Sequence, residues 1–312
     1  MVERILITGA GGYLGRKLAE RLSRDRSVVG LDLRIPEQPP CRMLAMDIRD
    51  SGLAALLRTE GITHLVHLAS VLESSGDEER DYDIDVNGTR NVVSACLAAG
   101  VKHLTVTSSG AVYGYHPDNP AWLHEDAPLR ANPDFPYGRH KQYIEEDLRA
   151  VREQHSELRQ LVLRPGTVLG KDTRNQITNL FEKRFVLGIR GSDSPFVFLW
   201  DEDLARIIEE GIRDSRSGIY NLAGDGSVPI RDIAAILEKP LVRVPAWLLR
   251  GALGLGHALG VSRYRASQVN FLRYRPVLDN RRLREEFGYQ PELNSRETFE
   301  LFVRHARQRG QL

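Results

Sequence analysis

The chain has 312 residues, 41% of them hydrophobic and 27% charged, with a formal net charge of +1. This length suits one large α/β unit or two linked domains, and the near-neutral balance argues against nucleic acid or an anionic membrane as the main partner. The two cysteines, Cys41 and Cys96, stand outside any CxxC or His-rich context, so neither a structural disulfide nor a metal site is expected.

The first strand is expected at Arg4–Thr8, running straight into Thr8-Gly-Ala-Gly-Gly-Tyr-Leu-Gly15. With no signal-peptide pattern ahead of it, a cytoplasmic protein is the expectation. Gly9, Gly12 and Gly15 follow a strand and open a helix, the context in which a glycine triplet can cradle a pyrophosphate. Phosphate oxygens must meet amide hydrogens at a helix N-terminus, where the dipole favours negative charge. The spacing is GxxGxxG, since Ala10 occupies the first glycine of the more familiar pattern. Gly9, Gly11, Gly12, Tyr13, Leu14 and Gly15 are therefore the candidate contacts of a dinucleotide.

A second strand, Ser27–Asp32, ends on Asp32, about 20 residues beyond the loop, where a carboxylate can accept from the adenosine ribose. Its charge would repel a 2′-phosphate and so favours NAD over NADP. Arg34, two residues on, could pair with such a phosphate, which keeps NADP open.

Further strands are expected at 64–68, 103–108, 160–164 and Gly218–Leu222, with helices starting near Gly15, Gly52, Asn87 and Tyr137. Gly100 is the expected stop of the helix that begins near Asn87. Strands alternating with helices predict βαβ units and a parallel sheet. Ser108-Ser109 closes the strand at 103–108, where side chains of a parallel sheet face a ligand crevice; either hydroxyl could orient a substrate oxygen. Tyr137 and Lys141 are four apart and share one helix face. A free phenol has a pKa of about 10, and lowering it by about three units needs roughly 4 kcal/mol of preferential phenolate stabilisation. A neighbouring ammonium can contribute to that. The pair suits proton transfer in alcohol–ketone chemistry.

Beyond Arg164 the rhythm breaks into shorter elements richer in Pro, Gly and Arg. The expected organisation is a dinucleotide-binding domain over 1–165, with the chain returning at about 199–224. A substrate lobe is expected over 166–198 and 225–312. The apolar stretch 247–259 is interrupted by Arg250, His257 and several glycines. It is read as a packed or site-covering helix rather than a membrane anchor.

With the glycine loop, Ser109, Tyr137 and Lys141 in this order, the sequence resembles the extended short-chain dehydrogenase/reductases, the NAD-dependent epimerase/dehydratase family. Further matches are Asp47-Ile48, His67-Leu-Ala-Ser70, Gly88-Thr89 with Asn91, Leu163-Arg-Pro165, Asp201-Glu-Asp-Leu-Ala205, Tyr220-Asn-Leu-Ala223 and Phe287-Gly-Tyr-Gln-Pro291. The resemblance implies a Rossmann-type, doubly wound parallel sheet with a smaller, discontinuous C-terminal lobe. It implies Ser109, Tyr137 and Lys141 as catalytic residues, since Ser109 stands four before the tyrosine of Val112-Tyr-Gly114. Asp47, Ile48, Leu68, Ala69, Ser70, Tyr137, Lys141 and Pro165 join the implied cofactor contacts. It also implies homodimers built from helices near 87–99 and 137–154.

The departures narrow the chemistry. Dehydratases of the family carry an Asp-Glu pair directly after the catalytic hydroxyl residue; this chain has Gly110-Ala111. Nucleotide-sugar enzymes commonly carry asparagine where Thr167 stands, and Asp85 replaces the usual asparagine before Gly88-Thr89. No dense basic cluster marks a diphosphate clamp, although Arg184, Arg190 and Arg263 could contribute. The expected function is NAD(P)-dependent hydride transfer between a secondary alcohol and a ketone on a small-molecule substrate. The alternatives are a nucleotide-sugar 4-epimerase with retained NAD, and a non-catalytic cofactor-binding sensor or scaffold. Neither a nucleic-acid nor a membrane partner is expected.

Overall fold

A computed structural model describes residues 3–72, 75–260 and 266–312. In chain order its elements begin with β1 (Arg4–Thr8), α1 (Tyr13–Leu22), β2 (Ser27–Asp32), β3 (Arg42–Ala45), α2 (Leu53–Thr59) and β4 (His64–His67). Next come α3 (Glu78–Tyr82), a π-helical turn (Asp83–Asn87), α4 (Gly88–Ala99), β5 (His103–Thr107), a 3-10 turn (Gly110–Tyr113), α5 (Pro136–Gln154) and β6 (Arg159–Pro165). β7 (Thr167–Leu169), α6 (Gln176–Phe181), β8 (Val186–Ile189), β9 (Phe198–Trp200), α7 (Asp201–Arg213) and β10 (Gly218–Leu222) follow. The chain closes with α8 (Ile230–Leu237), β11 (Leu241–Val244), α9 (Ala246–Ala258), a 3-10 segment (Ala266–Leu272), a π-helical turn (Leu283–Phe287) and α10 (Ser295–Gln308).

The chain divides into two compact units. The first comprises Met1–Val112, Pro136–Arg164 and Asp201–Tyr220. Seven strands form one parallel sheet in the order β10-β6-β5-β4-β1-β2-β3. Ile5, Leu6 and Ile7 of β1 are wholly buried, as a strand covered on both faces requires. Leu53 and Leu57 of α2, Val92 and Cys96 of α4, and Ile144 and Leu148 of α5 share one core with Leu31, Leu65, Leu104 and Val162 of the strands. Each fully buried leucine contributes about 1.5–3 kcal/mol. β1 pairs with both β2 and β4. The sheet order therefore reverses there, and in such sheets ligands bind beyond the carboxyl ends of the strands at the reversal.

Gly100 ends α4 with φ +73, the left-handed stop expected of it. β3 has no counterpart in the expected strands: Arg-Met-Leu-Ala lacks β-branched residues and lies at the sheet edge.

The second unit comprises Tyr113–Phe135, Pro165–Trp200 and Asn221–Leu312. The segment 113–135, assigned by its sequence position to the dinucleotide-binding domain, lies in this unit. Its tethers are the Leu123 amide donating to Val277 O (2.8 Å), the Tyr113 hydroxyl donating to Asn221 Oδ1 (2.7 Å) and the Asn221 amide donating to Glu125 Oε1 (2.8 Å). Phe181, Phe196, Phe198, Phe299 and Phe302 form its core, and β8–β11 and β7–β9 are two-stranded sheets.

α9 overturns the expectation of core packing over 247–259: none of its residues is buried. Among the described residues no helix is long and apolar enough to cross a membrane. Arg184 and Arg190 are exposed on either side of β8, and Arg263 lies outside the described residues.

Candidate active site

The glycine loop is shaped by contacts that leave no room for a side chain. Gly9 has φ +73, and a Cβ there would come within 2.8 Å of the Ala69 amide nitrogen. A Cβ on Gly15 would lie 2.0 Å from the Gly9 carbonyl oxygen, so only glycine lets α1 start this close to β1. Gly12 is the N-cap of α1, and no side chain caps the helix there. An uncapped helix N-terminus of this kind, Leu14 among its first residues, presents the positive end of its dipole to an anion. Gly11, Gly12 and Tyr13 are exposed. These features fit a dinucleotide pyrophosphate.

Asp32, at the end of β2, accepts from the Gly11 amide at 2.9 Å and from the Leu33 amide at 2.7 Å. Its carboxylate is thereby fixed beside the loop, and its remaining lone pairs can accept ribose hydroxyls. Arg34 is exposed just beyond it. The Tyr13 hydroxyl donates to Asp201, which also receives Lys17 Nζ at 2.8 Å. That side chain pins α1 to α7.

The end of β4 is wired to the helices beside it. His67 Nδ1 lies 2.7 Å from Thr8 Oγ1, and its Nε2 lies 3.0 Å from Thr89 Oγ1. The Thr89 hydroxyl donates to the Asp85 carbonyl at 2.5 Å, so it accepts from His67, which assigns the proton to Nε2. Burial, then the charge of Lys141, depresses the His67 pKa to about 3, and the ring is neutral. The Thr8 carbonyl accepts from the Leu68 amide at 3.2 Å, while Ala69 is the residue closest to Gly9.

Asp85 is buried and accepts from Ser70 Oγ (3.0 Å) and the Val71 amide (2.8 Å), while its other oxygen meets His140 Nδ1 at 3.1 Å. On the neighbouring turn, Gly88 makes room for Ile48, whose carbonyl accepts from Asn91 Nδ2 at 2.7 Å. Asp47 is engaged by Arg49, which holds its carboxyl below the usual range.

α5 carries Tyr137, Lys141 and Glu145 at successive four-residue steps. Lys141 is buried; its Nζ donates to the Thr107 carbonyl at 3.1 Å and sits 5.7 Å from the centre of the Tyr137 ring. Burial pulls the Lys141 pKa below the ordinary lysine value, against the opposing charges of Asp85 and Glu145. Lys141 thus joins α5 to the carboxyl end of β5.

The two candidate serines part company here. Ser108 is buried and donates to Glu145 Oε1 at 2.5 Å; that carboxylate also receives Arg164 Nε at 2.9 Å and Nη2 at 2.6 Å. Ser108 is a structural residue. Ser109 is half-buried, and its Oγ accepts from the Ala111 amide at 3.2 Å, a bond that does not use its proton. Pro165 follows Arg164 at the end of β6.

Glu145, Arg164, Asp85 and His140 were not among the residues singled out for the site. One more four-residue step beyond Lys141 points to Glu145. The Arg164 partnership spans β6 and α5 and has no local signal.

Residues 5–200 match the family model described as the NAD dependent epimerase/dehydratase family. A Mycobacterium tuberculosis (strain ATCC 25618 / H37Rv) protein of uncharacterised function is 25% identical, over 96% of this chain and 83% of its own. The N-acetyl-alpha-D-glucosaminyl-diphospho-ditrans,octacis-undecaprenol 4-epimerase of Escherichia coli O157:H7 is 27% identical, over 82% of this chain and 78% of its own. Among solved structures, the UDP-glucose 4-epimerase of Thermus thermophilus in complex with NAD superposes with a TM-score of 0.74 at 24% identity. That match covers 97% of this chain and 99% of the other, a likeness of fold.

Proposed function

This chain belongs to the NAD-dependent epimerase/dehydratase family, and from that premise we propose that it catalyses NAD-dependent hydride transfer at a secondary alcohol carbon or the matching ketone. The observation that carries the reading is the buried Lys141 ammonium, held by the Thr107 carbonyl and 5.7 Å from the Tyr137 ring.

When bound, NAD supplies the acceptor or donor of hydride. Gly9 to Gly15 and the open end of α1 would hold its pyrophosphate, and Asp32 its adenosine ribose. Asp47, Ile48, the 68–70 backbone and Pro165 would line the rest. The fixed Asp32 carboxylate favours NAD over NADP by repelling a 2′-phosphate. Lys141 stabilises the phenolate of Tyr137 and meets the nicotinamide ribose. Tyr137 removes the carbinol proton as the carbonyl forms and returns it in reduction, and the Ser109 hydroxyl orients the substrate oxygen. Elimination of water is disfavoured, because Gly110 and Ala111 place no carboxylate directly after Ser109.

A 4-epimerase is the second reading, favoured by the printed activities of the Escherichia coli relative and the Thermus thermophilus structure. The same three residues would serve both oxidation and re-reduction. Homodimerisation through α4 and α5 belongs to the proposal, and sedimentation velocity tests it.

The test uses purified protein, added NAD, and UDP-galactose or simple secondary alcohols as probes. Tyr137→Phe retains NAD binding and loses turnover by about 10²–10⁴-fold. Unchanged turnover removes Tyr137 from the chemistry. Stoichiometric NAD carried through purification supports the epimerase; freely exchanging NAD supports the dehydrogenase.

A further inference from the structure

α9 leaves most of its large apolar side chains in water. At about 100° per residue, Trp247, Leu248, Ala252, Leu255 and Leu259 fall on one side of the helix and its C-terminal residue. The large members of this stripe are open to solvent: Trp247 is 73% exposed, Leu248 49%, Leu255 64% and Leu259 68%. The polar side chains Arg250 and His257, seven apart, fall on the opposite side. Arg250 donates to Asn270 Oδ1 at 2.8 Å, tying the helix to the 3-10 segment Ala266–Leu272. A surface helix ordinarily turns its large apolar residues inward; here Arg250 and His257 are exposed too, and only Leu249 and Leu253 among the large apolar residues are partly covered. So large an apolar stripe left in water marks an interaction surface.

The charge pattern around it selects the partner. Between Glu238 and Asp279 the sequence has seven lysines and arginines and no aspartate or glutamate, in a chain whose net charge is only +1. Arg243, just before the helix, is exposed, with Nη2 3.8 Å from Asp193 Oδ1 in a solvent-facing pair. Arg250, on the helix itself, is exposed as well; a second copy docked through the stripe would bring such cations against their own like, whereas anionic headgroups neutralise them. At about 1.5 Å per residue, thirteen residues reach roughly 20 Å, short of a hydrocarbon core of about 30 Å, so the helix cannot span. An apolar stripe led by tryptophan and neighboured by arginines is the pattern of a helix lying in the interface plane.

We propose that α9 docks this protein on an anionic lipid surface, with Trp247, Leu248, Leu255 and Leu259 entering the headgroup–acyl boundary and Arg243 meeting the lipid charge. This assigns a membrane partner that composition alone argued against, and it stands independently of the proposed reaction.

The test is cosedimentation of the full chain with vesicles of equal parts phosphatidylglycerol and phosphatidylcholine, or of phosphatidylcholine alone. Sedimentation velocity without lipid and NAD titration run alongside. Binding to the anionic vesicles that weakens with salt supports the proposal. Leu248→Gln/Leu255→Gln/Leu259→Gln should weaken it by about tenfold or more, with circular dichroism and NAD binding unchanged. No binding to anionic vesicles overturns it, as does equal binding to both compositions or undiminished binding by the triple variant. Self-association of the wild type that the triple variant abolishes, without lipid binding, overturns it in favour of a second copy. NAD turnover is measured separately, so its loss or absence bears only on the proposed reaction.

Discussion

Replacing Glu145 by glutamine should destabilise the first unit severely, because it takes the carboxylate out of a buried ion pair. The Glu145 and Arg164 side chains are each 3% exposed. The carboxylate accepts Arg164 Nε and Nη2 at 2.9 and 2.6 Å and the Ser108 hydroxyl at 2.5 Å. Glutamine preserves volume but replaces one acceptor oxygen with a donor and withdraws the carboxylate charge that faces the buried guanidinium. Removing one partner of a buried ion pair costs about 3–5 kcal/mol, and disturbing the Ser108 bond adds about 1 kcal/mol. Glu145→Leu combined with Arg164→Met removes both charges and should recover most of that loss, since apolar replacements of buried pairs are often neutral. Urea unfolding followed by far-ultraviolet circular dichroism measures all the variants. A Glu145→Gln loss below about 1 kcal/mol, or a double variant as unstable as the sum of Glu145→Leu and Arg164→Met, would refute the charge argument.

The two serines should dissociate stability from turnover. Ser108→Ala should lose about 1–2 kcal/mol of unfolding free energy with turnover nearly intact. Ser109→Ala should change stability by less than about 0.5 kcal/mol and cut turnover by about 10²-fold; the reverse pattern in paired denaturation and rate measurements would exchange their roles. Gly15→Ala should destabilise by about 1–3 kcal/mol, because its methyl would meet the Gly9 carbonyl at 2.0 Å. It should also weaken NAD binding, read by calorimetry, whereas unaltered stability would mean the loop is not close-packed. Acid should begin to destabilise the protein before carboxylates titrate. The pKa of His67 is depressed to about 3 and that of His103 to about 4, both by burial, from 6.5. Below 6.5 the unfolded chain takes up these protons and the folded chain does not, so stability present above 6.5 falls as pH drops towards the folded values. Each histidine should remove about 2 kcal/mol between pH 7 and 5, and flat urea midpoints across that range would contradict the burial argument.

The sheet was legible wherever local chemistry decides. Arg4–Thr8, Ser27–Asp32 and Gly218–Leu222 are strands to the residue, because short runs carrying β-branched or aromatic residues sit between breaks in pattern. The strands at 64–68 and 103–108 each stop one residue early, at His67 and Thr107, where side chains turn to the network above the sheet. Short strands such as Thr167–Leu169 and Val186–Ile189 carry too few residues to show a period. Tyr137 and Lys141 were readable from spacing, since four residues make one helical turn. Choosing Ser109 over Ser108 by contact required Arg164, which approaches Glu145 only after β6 lies beside β5. The content of α9 reads as core from composition; whether anything covers such a stripe is decided by distant segments, and here nothing among the described residues does.

The π-helical turn at Asp83–Asn87 makes segment length matter more than composition there. Such a turn accommodates one residue beyond regular pitch, and each residue turns a helix by about 100°. Deleting one residue would restore ideal backbone geometry while swinging Asp85 away from Ser70, Val71 and His140. A shorter version of this segment could form a better helix and still forfeit the clasp between the end of β4 and α5. Related chains should therefore tolerate exchanges along α3 more readily than a change in the count of residues separating it from α4.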